Sequence, residues 1–129
     1  MIVGIGTDIV SIERIAGVLE RHGERFVKRV LTMQERARYE RVNAKARVGH
    51  LAKRWAAKEA FAKAIGTGIH PPFNWHSITV GRDAKGKPLV IPDEKMAAHL
   101  HSIGVTHAHI TLTDDAGVAM AFVVLEKLP

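Results

Sequence analysis

The sequence contains no cysteine. Disulfide staples, thiolate zinc sites, iron–sulfur clusters and a cysteine nucleophile are therefore excluded. Aromatic residues make up only 5%, too few to lay a stacking track for single-stranded nucleic acid. No Gly-x-x-x-x-Gly-Lys-Ser/Thr pattern occurs, which excludes an ordinary phosphate-binding P-loop. The uncharged stretch Gly66–Gly81 is broken by prolines, glycines and histidines and could not span a bilayer. The opening residues, Met-Ile-Val-Gly-Ile-Gly-Thr-Asp, lack the basic region and cleavage site of a secretory signal. These absences lead to the expectation of a soluble, reduced, cytoplasmic protein with no membrane partner.

What is present is ordinary globular material: 129 residues, 47% hydrophobic and 25% charged. One domain over 1–129 is expected, large enough to bury roughly two thirds of the surface of its unfolded chain. The net charge of +6 is unevenly placed. Residues 1–65 carry +7 and residues 66–129 carry −1. A basic half of this size either keeps a helix face solvated or attracts a polyanion: nucleic acid, a phosphorylated metabolite or an acidic protein.

Ile2–Val10 alternates as a strand, with Gly4, Gly6, Asp8 and Val10 on one face and Val3, Ile5, Thr7 and Ile9 on the other. Ser11 is placed to cap a helix that ends at Gly23. Phe26, Val27, Val30 and Leu31 continue in helical spacing, and Thr32-Met-Gln-Glu35 is a capping-box pattern opening another helix. A longer helix is expected from about Val48 to Ile65, stopped by Gly66. Ser77–Gly81 and Pro88–Ile91 form a hairpin, Asp93 caps a helix through Ile103, and Ala108–Thr113 and Val118–Glu126 form a second hairpin. The fold class this predicts is α+β, a mainly antiparallel sheet packed against helices. Both faces of the last strand are apolar. One of them is therefore expected to meet another copy of the chain in a homo-oligomer.

Two carboxylates occupy unusual positions. Asp8 lies within an apolar strand, where it either caps the next helix or holds a ligand. Glu59 follows Trp55 and Ala56 by one turn and precedes Lys63 by another, so it is either one half of a surface pair or an inward ligand. Together, two inward carboxylates on different elements suit Mg²⁺, which takes one or two carboxylates and draws other ligands from water and substrate phosphate. Arg54, Lys58 and Lys63 flank Glu59, and Gly66-Thr67-Gly68 follows as a loop whose N–H groups are able to approach phosphate. A metal between carboxylates with cations beside it is suited to chemistry at a phosphate.

The segments Gly4-Ile-Gly-Thr-Asp-Ile-Val-Ser-Ile-Glu-Arg-Ile15 and Arg54-Trp-Ala-Ala-Lys-Glu-Ala-Phe-Ala-Lys-Ala-Ile-Gly-Thr-Gly68, with the closing Ala-Phe-Val-Val-Leu-Glu strand, resemble the holo-[acyl-carrier-protein] synthases. These are short, single-domain 4′-phosphopantetheinyl transferases. The resemblance covers essentially the whole chain. It implies transfer of the phosphopantetheine arm of coenzyme A to a serine of apo acyl carrier protein, with release of adenosine 3′,5′-bisphosphate, in fatty-acid and lipid biosynthesis. By the same resemblance Asp8 and Glu59 are the Mg²⁺ ligands, with Lys63 beside the pyrophosphate. Arg54, Lys58, Lys63, Gly66, Thr67 and Gly68 form the coenzyme A cradle. Arg14 meets the carrier protein, with Arg21, Arg25, Lys28 and Arg29 extending that basic surface. A homotrimer with active sites between subunits is implied as well. Some members carry a histidine in the last hairpin; here Thr113 or Asp114 stands at that position, which leaves deprotonation of the carrier serine to Glu59 or to a metal-bound water.

Two other readings compete. His99/His101 and His107/His109 suggest zinc, but the first pair diverges by about 200° on a helix and no third ligand follows by spacing. A nucleic-acid binder would explain the basic half but leaves Asp8 and Glu59 unexplained, and no helix-turn-helix or RNP pattern occurs. No nucleic-acid partner is expected.

Overall fold

The computed structural model describes residues 1–129. Strand β1 (Ile2–Ser11) enters α1 (Ile12–His22) directly, because the Ser11 hydroxyl accepts the Arg14 N–H as expected of a cap. Gly23, at φ +56°, breaks the helical run there. The apolar residues around Phe26 therefore form a separate helix, α2 (Glu24–Val30), and not a continuation of α1. The Thr32–Glu35 capping box is fully formed and starts α3 (Met33–Arg41).

Helix α4 (Ala44–Ile65) begins earlier than Val48, because Asn43 Oδ1 accepts the Ala46 N–H and supplies a start that the hydrophobic spacing does not mark. It is alanine-rich, and Gly66 ends it in the left-handed conformation at φ +87°. Both features matter for packing. A Cβ on Gly4 would overlap the Ala64 carbonyl and one on Gly6 the Ala60 carbonyl, so β1 lies directly against α4 only because these two residues have no side chain.

The remaining elements are β2 (Ile78–Arg82), β3 (Pro88–Pro92), α5 (Glu94–Ser102), β4 (His107–Asp115) and β5 (Val118–Glu126). The strands make two sheets. One is three-stranded in the order β1-β5-β4, wholly antiparallel, with Asp8 opposite Ala121 and Asp114 opposite Ala119. The other is the β2-β3 hairpin alone, Ile78 opposite Pro92. The α+β class and antiparallel pairing agree with the sequence pattern, which did not separate the two sheets.

The core lies between α4 and one face of the larger sheet. Ala56, Ala60, Phe61 and Ala64 meet Ala119, Ala121, Val123 and Leu125, all buried. The opposite face carries Ile5, Ile9, Met120 and Phe122, exposed by 61, 58, 39 and 44%. One face of β5 is thus covered within the chain and the other is not.

Candidate active site

Packing β1 on α4 brings Asp8 beside the last two turns of the helix. Lys63 Nζ reaches Asp8 Oδ1 at 3.2 Å and the Thr7 carbonyl at 3.0 Å. The lysine that follows Glu59 by four residues therefore bridges to the strand and does not pair along its own helix. Glu59 is half-buried and makes no ion pair. Burial first, and the charge of Asp8 second, raise its pKa above the usual carboxylate value, while Lys63 and Arg14 act in the other direction. Asp8, Glu59, Lys63 and Arg14 thus share one electrostatic neighbourhood, drawn from β1, α1 and α4. No group of three or more histidine, aspartate or glutamate side chains suited to a metal exists. A metal held here takes two carboxylates at most, which matches the Mg²⁺ preference for few protein ligands and several waters.

Arg14, Arg21, Arg25, Lys28 and Arg29 are all exposed along α1 and α2. Beside them a cavity of about 710 Å³ is lined by Val18, His22, Arg25, Phe26, Lys28, Arg29, Trp55 and Trp75. Trp55, one turn before Glu59, packs against Trp75 with ring centroids 4.4 Å apart and against Phe26 at 5.7 Å. The basic surface therefore has an aromatic floor that leads along α4 towards the carboxylates.

Two parts of the expected cradle need correction. Lys58 is fully buried. Its Nζ donates at 2.6 Å to Glu35 Oε1, the Val30 carbonyl and the Trp75 carbonyl, so all three of its protons are engaged and none is available to coenzyme A. Burial lowers its pKa below the ordinary lysine value, and Glu35 opposes that shift. The Gly66-Thr67-Gly68 N–H groups are also engaged. All three donate to the Ala62 carbonyl, Gly66 also to Lys63, and so close the C-terminal end of α4. They are not open to a phosphate, and the helix end they close is the negative pole of its dipole.

Arg54 also belongs to the expected cradle. It is 1% exposed, and neither terminal guanidinium nitrogen has a hydrogen-bond partner. It lines a cavity of about 420 Å³ with Gln34, Glu35, Arg38, His50, Arg82 and residues of the β2-β3 turn. Burial and the neighbouring Arg82 and Arg38 push its pKa down to about 10, with Glu35 opposing. His50 is pushed to about 3 by burial and then by Arg54, Arg38, Arg82 and Lys53. An unpartnered buried guanidinium among other cations is suited to receive an anion. Sequence reasoning missed Arg38, His50 and Arg82. His50 precedes Arg54 by one turn on α4, which is a readable signal, whereas Arg38 and Arg82 come from elements that only the fold brings together.

At the position of the family's hairpin histidine, Thr113 and Asp114 are exposed on β4, and Asp114 Oδ1 lies 3.6 Å from Lys53 Nζ. The stacked His107 and His109 lie at the far end of that strand, with His109 Nε2 3.0 Å from Glu126.

Paired carboxylates with a bridging lysine, a basic surface and a cavity of unpartnered arginine define a small α+β enzyme suited to phosphorylated substrates. A family model for the 4′-phosphopantetheinyl transferase superfamily matches residues 4–123, and the chain belongs to that superfamily. A holo-[acyl-carrier-protein] synthase of Herminiimonas arsenicoxydans is 45% identical over 98% of this chain and 99% of its own. The crystal structure of holo-[acyl-carrier-protein] synthase from Neisseria meningitidis superimposes with a TM-score of 0.93 at 41% identity, covering 98% of this chain and 100% of that one. The Bacillus anthracis synthase, solved in complex with coenzyme A (3′,5′-ADP), superimposes at 0.83 with 34% identity over 99% of both chains.

Proposed function

We propose that residues 1–129 act as one domain that transfers the 4′-phosphopantetheine arm of coenzyme A to a serine of apo acyl carrier protein, serving fatty-acid and lipid synthesis. The observation that carries this reading is the convergence of Asp8, Glu59 and Lys63 at the contact of β1 with α4, in a chain aligned end to end with holo-[acyl-carrier-protein] synthases.

Asp8 and Glu59 are the residues that would hold Mg²⁺, and their donor set fits it: two hard oxygen ligands from two elements that meet at one place. When bound, Mg²⁺ neutralises charge on the pyrophosphate. Lys63, held by Asp8 and the Thr7 carbonyl, is the cation that would stand beside that pyrophosphate. Glu59 or a metal-bound water would accept the serine proton. The serine oxygen forms a bond to the phosphorus that bears pantetheine. The bond from that phosphorus to the bridging oxygen breaks, and adenosine 3′,5′-bisphosphate leaves with the electron pair.

The basic cavity takes the remaining phosphate of coenzyme A, the phosphomonoester. Arg54 and Glu59 are five residues apart, about 140° around α4, so they point to opposite sides of the helix. One coenzyme A reaches both only where two copies meet. The uncovered Ile5, Ile9, Met120 and Phe122 face supplies an apolar surface for that meeting, in support of a homotrimer with sites between subunits. The acidic carrier protein docks on Arg14, Arg21, Arg25, Lys28 and Arg29, steered by the positive half of the chain. No helix is long and apolar enough to cross a membrane, in keeping with a cytoplasmic enzyme.

The test is intact-mass spectrometry of an apo acyl carrier protein incubated with this protein, coenzyme A and Mg²⁺. A gain of one phosphopantetheine arm, lost with EDTA and with Glu59→Ala, is expected. No gain with several carrier proteins would overturn the reading.

A further inference from the structure

His50 is 93% inaccessible by its 7% exposure, and its Nε2 has no hydrogen-bond partner. It shares the basic cavity with Arg54 from α4, Arg38 from α3 and Arg82 from β2. The carboxylates that reach the same cavity are engaged elsewhere. Glu35 accepts from Lys58 and Thr32 at Oε1 and from Val80 at Oε2, and Asp83 Oδ1 accepts from the Lys85 and Lys87 N–H groups. The unpartnered donors therefore have no anion within the chain to satisfy them. Leaving buried polar groups unpaired is costly unless a ligand completes them.

The imidazole does not serve this cavity as a fourth cation. Burial opposes its protonation first, and Arg54, Arg38, Arg82 and Lys53 oppose it next; the Tyr39 ring lies at 6.2 Å between centroids. Neutral imidazole keeps one N–H and one lone pair. In a cavity whose other contributions are guanidinium charges, that N–H is a directional donor of fixed position. Arginines attract any phosphate; a rigid buried donor selects one placement of it.

We infer that His50 is a specificity-determining residue of the basic cavity, donating its Nε2–H to a phosphomonoester oxygen of coenzyme A bound alongside Arg54 and Arg38. This rests on the transferase reading above, which puts the phosphomonoester in that cavity. The contact separates coenzyme A from dephospho-coenzyme A, which has the same pyrophosphate and pantetheine but no phosphomonoester to receive the bond.

Calorimetric titration of the wild-type protein, His50→Phe and His50→Asn with coenzyme A, dephospho-coenzyme A and adenosine 3′,5′-bisphosphate tests it. Phenylalanine keeps the ring volume and removes the donor; asparagine keeps a donor. Expected is about tenfold weaker binding of coenzyme A and of the bisphosphate by His50→Phe, unchanged binding of dephospho-coenzyme A, and partial recovery in His50→Asn. On the wild-type protein, ¹⁵N NMR of the imidazole is expected to show a neutral ring when the cavity is empty. Its protonation midpoint should rise when the bisphosphate offsets the arginines. Equal losses for both coenzymes would move the contact to another part of the ligand and overturn the inference, as would unaltered affinity in His50→Phe. Unaltered affinity with carrier protein still modified would remove the His50 contact alone. Failure of the wild type to bind coenzyme A or the bisphosphate would remove the transferase reading with it.

Discussion

Replacing Lys58 with methionine tests whether this lysine is a structural cation or a coenzyme ligand. Its ammonium donates three hydrogen bonds of 2.6 Å from within α4 to the end of α2, to α3 and to the segment before β2. Methionine fills similar volume but leaves Glu35 buried at 3% exposure without its counter-charge, and it orphans the Val30 and Trp75 carbonyls. Breaking a buried pair by removing one partner costs about 3–5 kcal/mol. A chain of 129 residues unfolds with an entropy of about 0.27 kcal/mol per kelvin, so Tm should fall by roughly 10–20 °C. Adding Glu35→Gln removes the stranded charge, and the double variant should be less destabilised than the sum of the two singles by about 1–3 kcal/mol. Thermal unfolding at one fixed protein concentration is the assay, because self-association makes Tm depend on concentration. Coenzyme A affinity, measured calorimetrically well below Tm, should be unchanged in the single variant. A Lys58→Met protein with wild-type Tm and lost coenzyme A affinity would refute the reasoning and return Lys58 to the cradle.

Gly6→Ala would drive a Cβ into the Ala60 carbonyl; β1 and α4 must separate, so Tm should drop by the equivalent of about 1–3 kcal/mol or more, with transferase turnover lost as Asp8 and Lys63 part. If the proposed assembly forms through the uncovered sheet face, Phe122→Glu should shift sedimentation to monomer and abolish turnover while leaving far-ultraviolet circular dichroism unchanged; an intact assembly in the variant would count against that face as the interface. The pKa of His50 is held at about 3 against an ordinary 6.5, so between these values the unfolded chain takes up a proton that the fold does not. The stability tied to this group is complete above the unfolded value and falls as pH drops towards the folded one. His50→Phe should therefore flatten the decline of unfolding free energy between about pH 6.5 and 4 in urea titrations, and an unchanged slope would refute it.

Much of the fold is written locally. Ser11, the Thr32–Glu35 box, Asp93 and Gly66 each act on backbone groups within a few residues, and each does in the structure what its position predicts. The alternation of β1 likewise separates Gly4, Gly6 and Val10, packed inward, from the exposed Ile5 and Ile9. Lys58 and the Gly66–Gly68 loop were misread for a shared reason. Their composition suggests open donors, but donors are claimed by whatever acceptors the fold brings near: Glu35 and two distant carbonyls in one case, the end of α4 in the other.

The sequence by itself determined most of the elements, several of their caps, the basic first half and the presence of two carboxylates at inward positions, because these depend on neighbours along the chain. Only the tertiary structure decided that Lys63 bridges to Asp8, that Lys58 is saturated, and that Arg38, Arg54, Arg82 and His50 enclose one cavity. Those outcomes depend on which side chains meet across α3, α4, β1 and β2. Hydrogen bonds and ion pairs act over a few ångströms in space, and separation along the chain does not specify that distance.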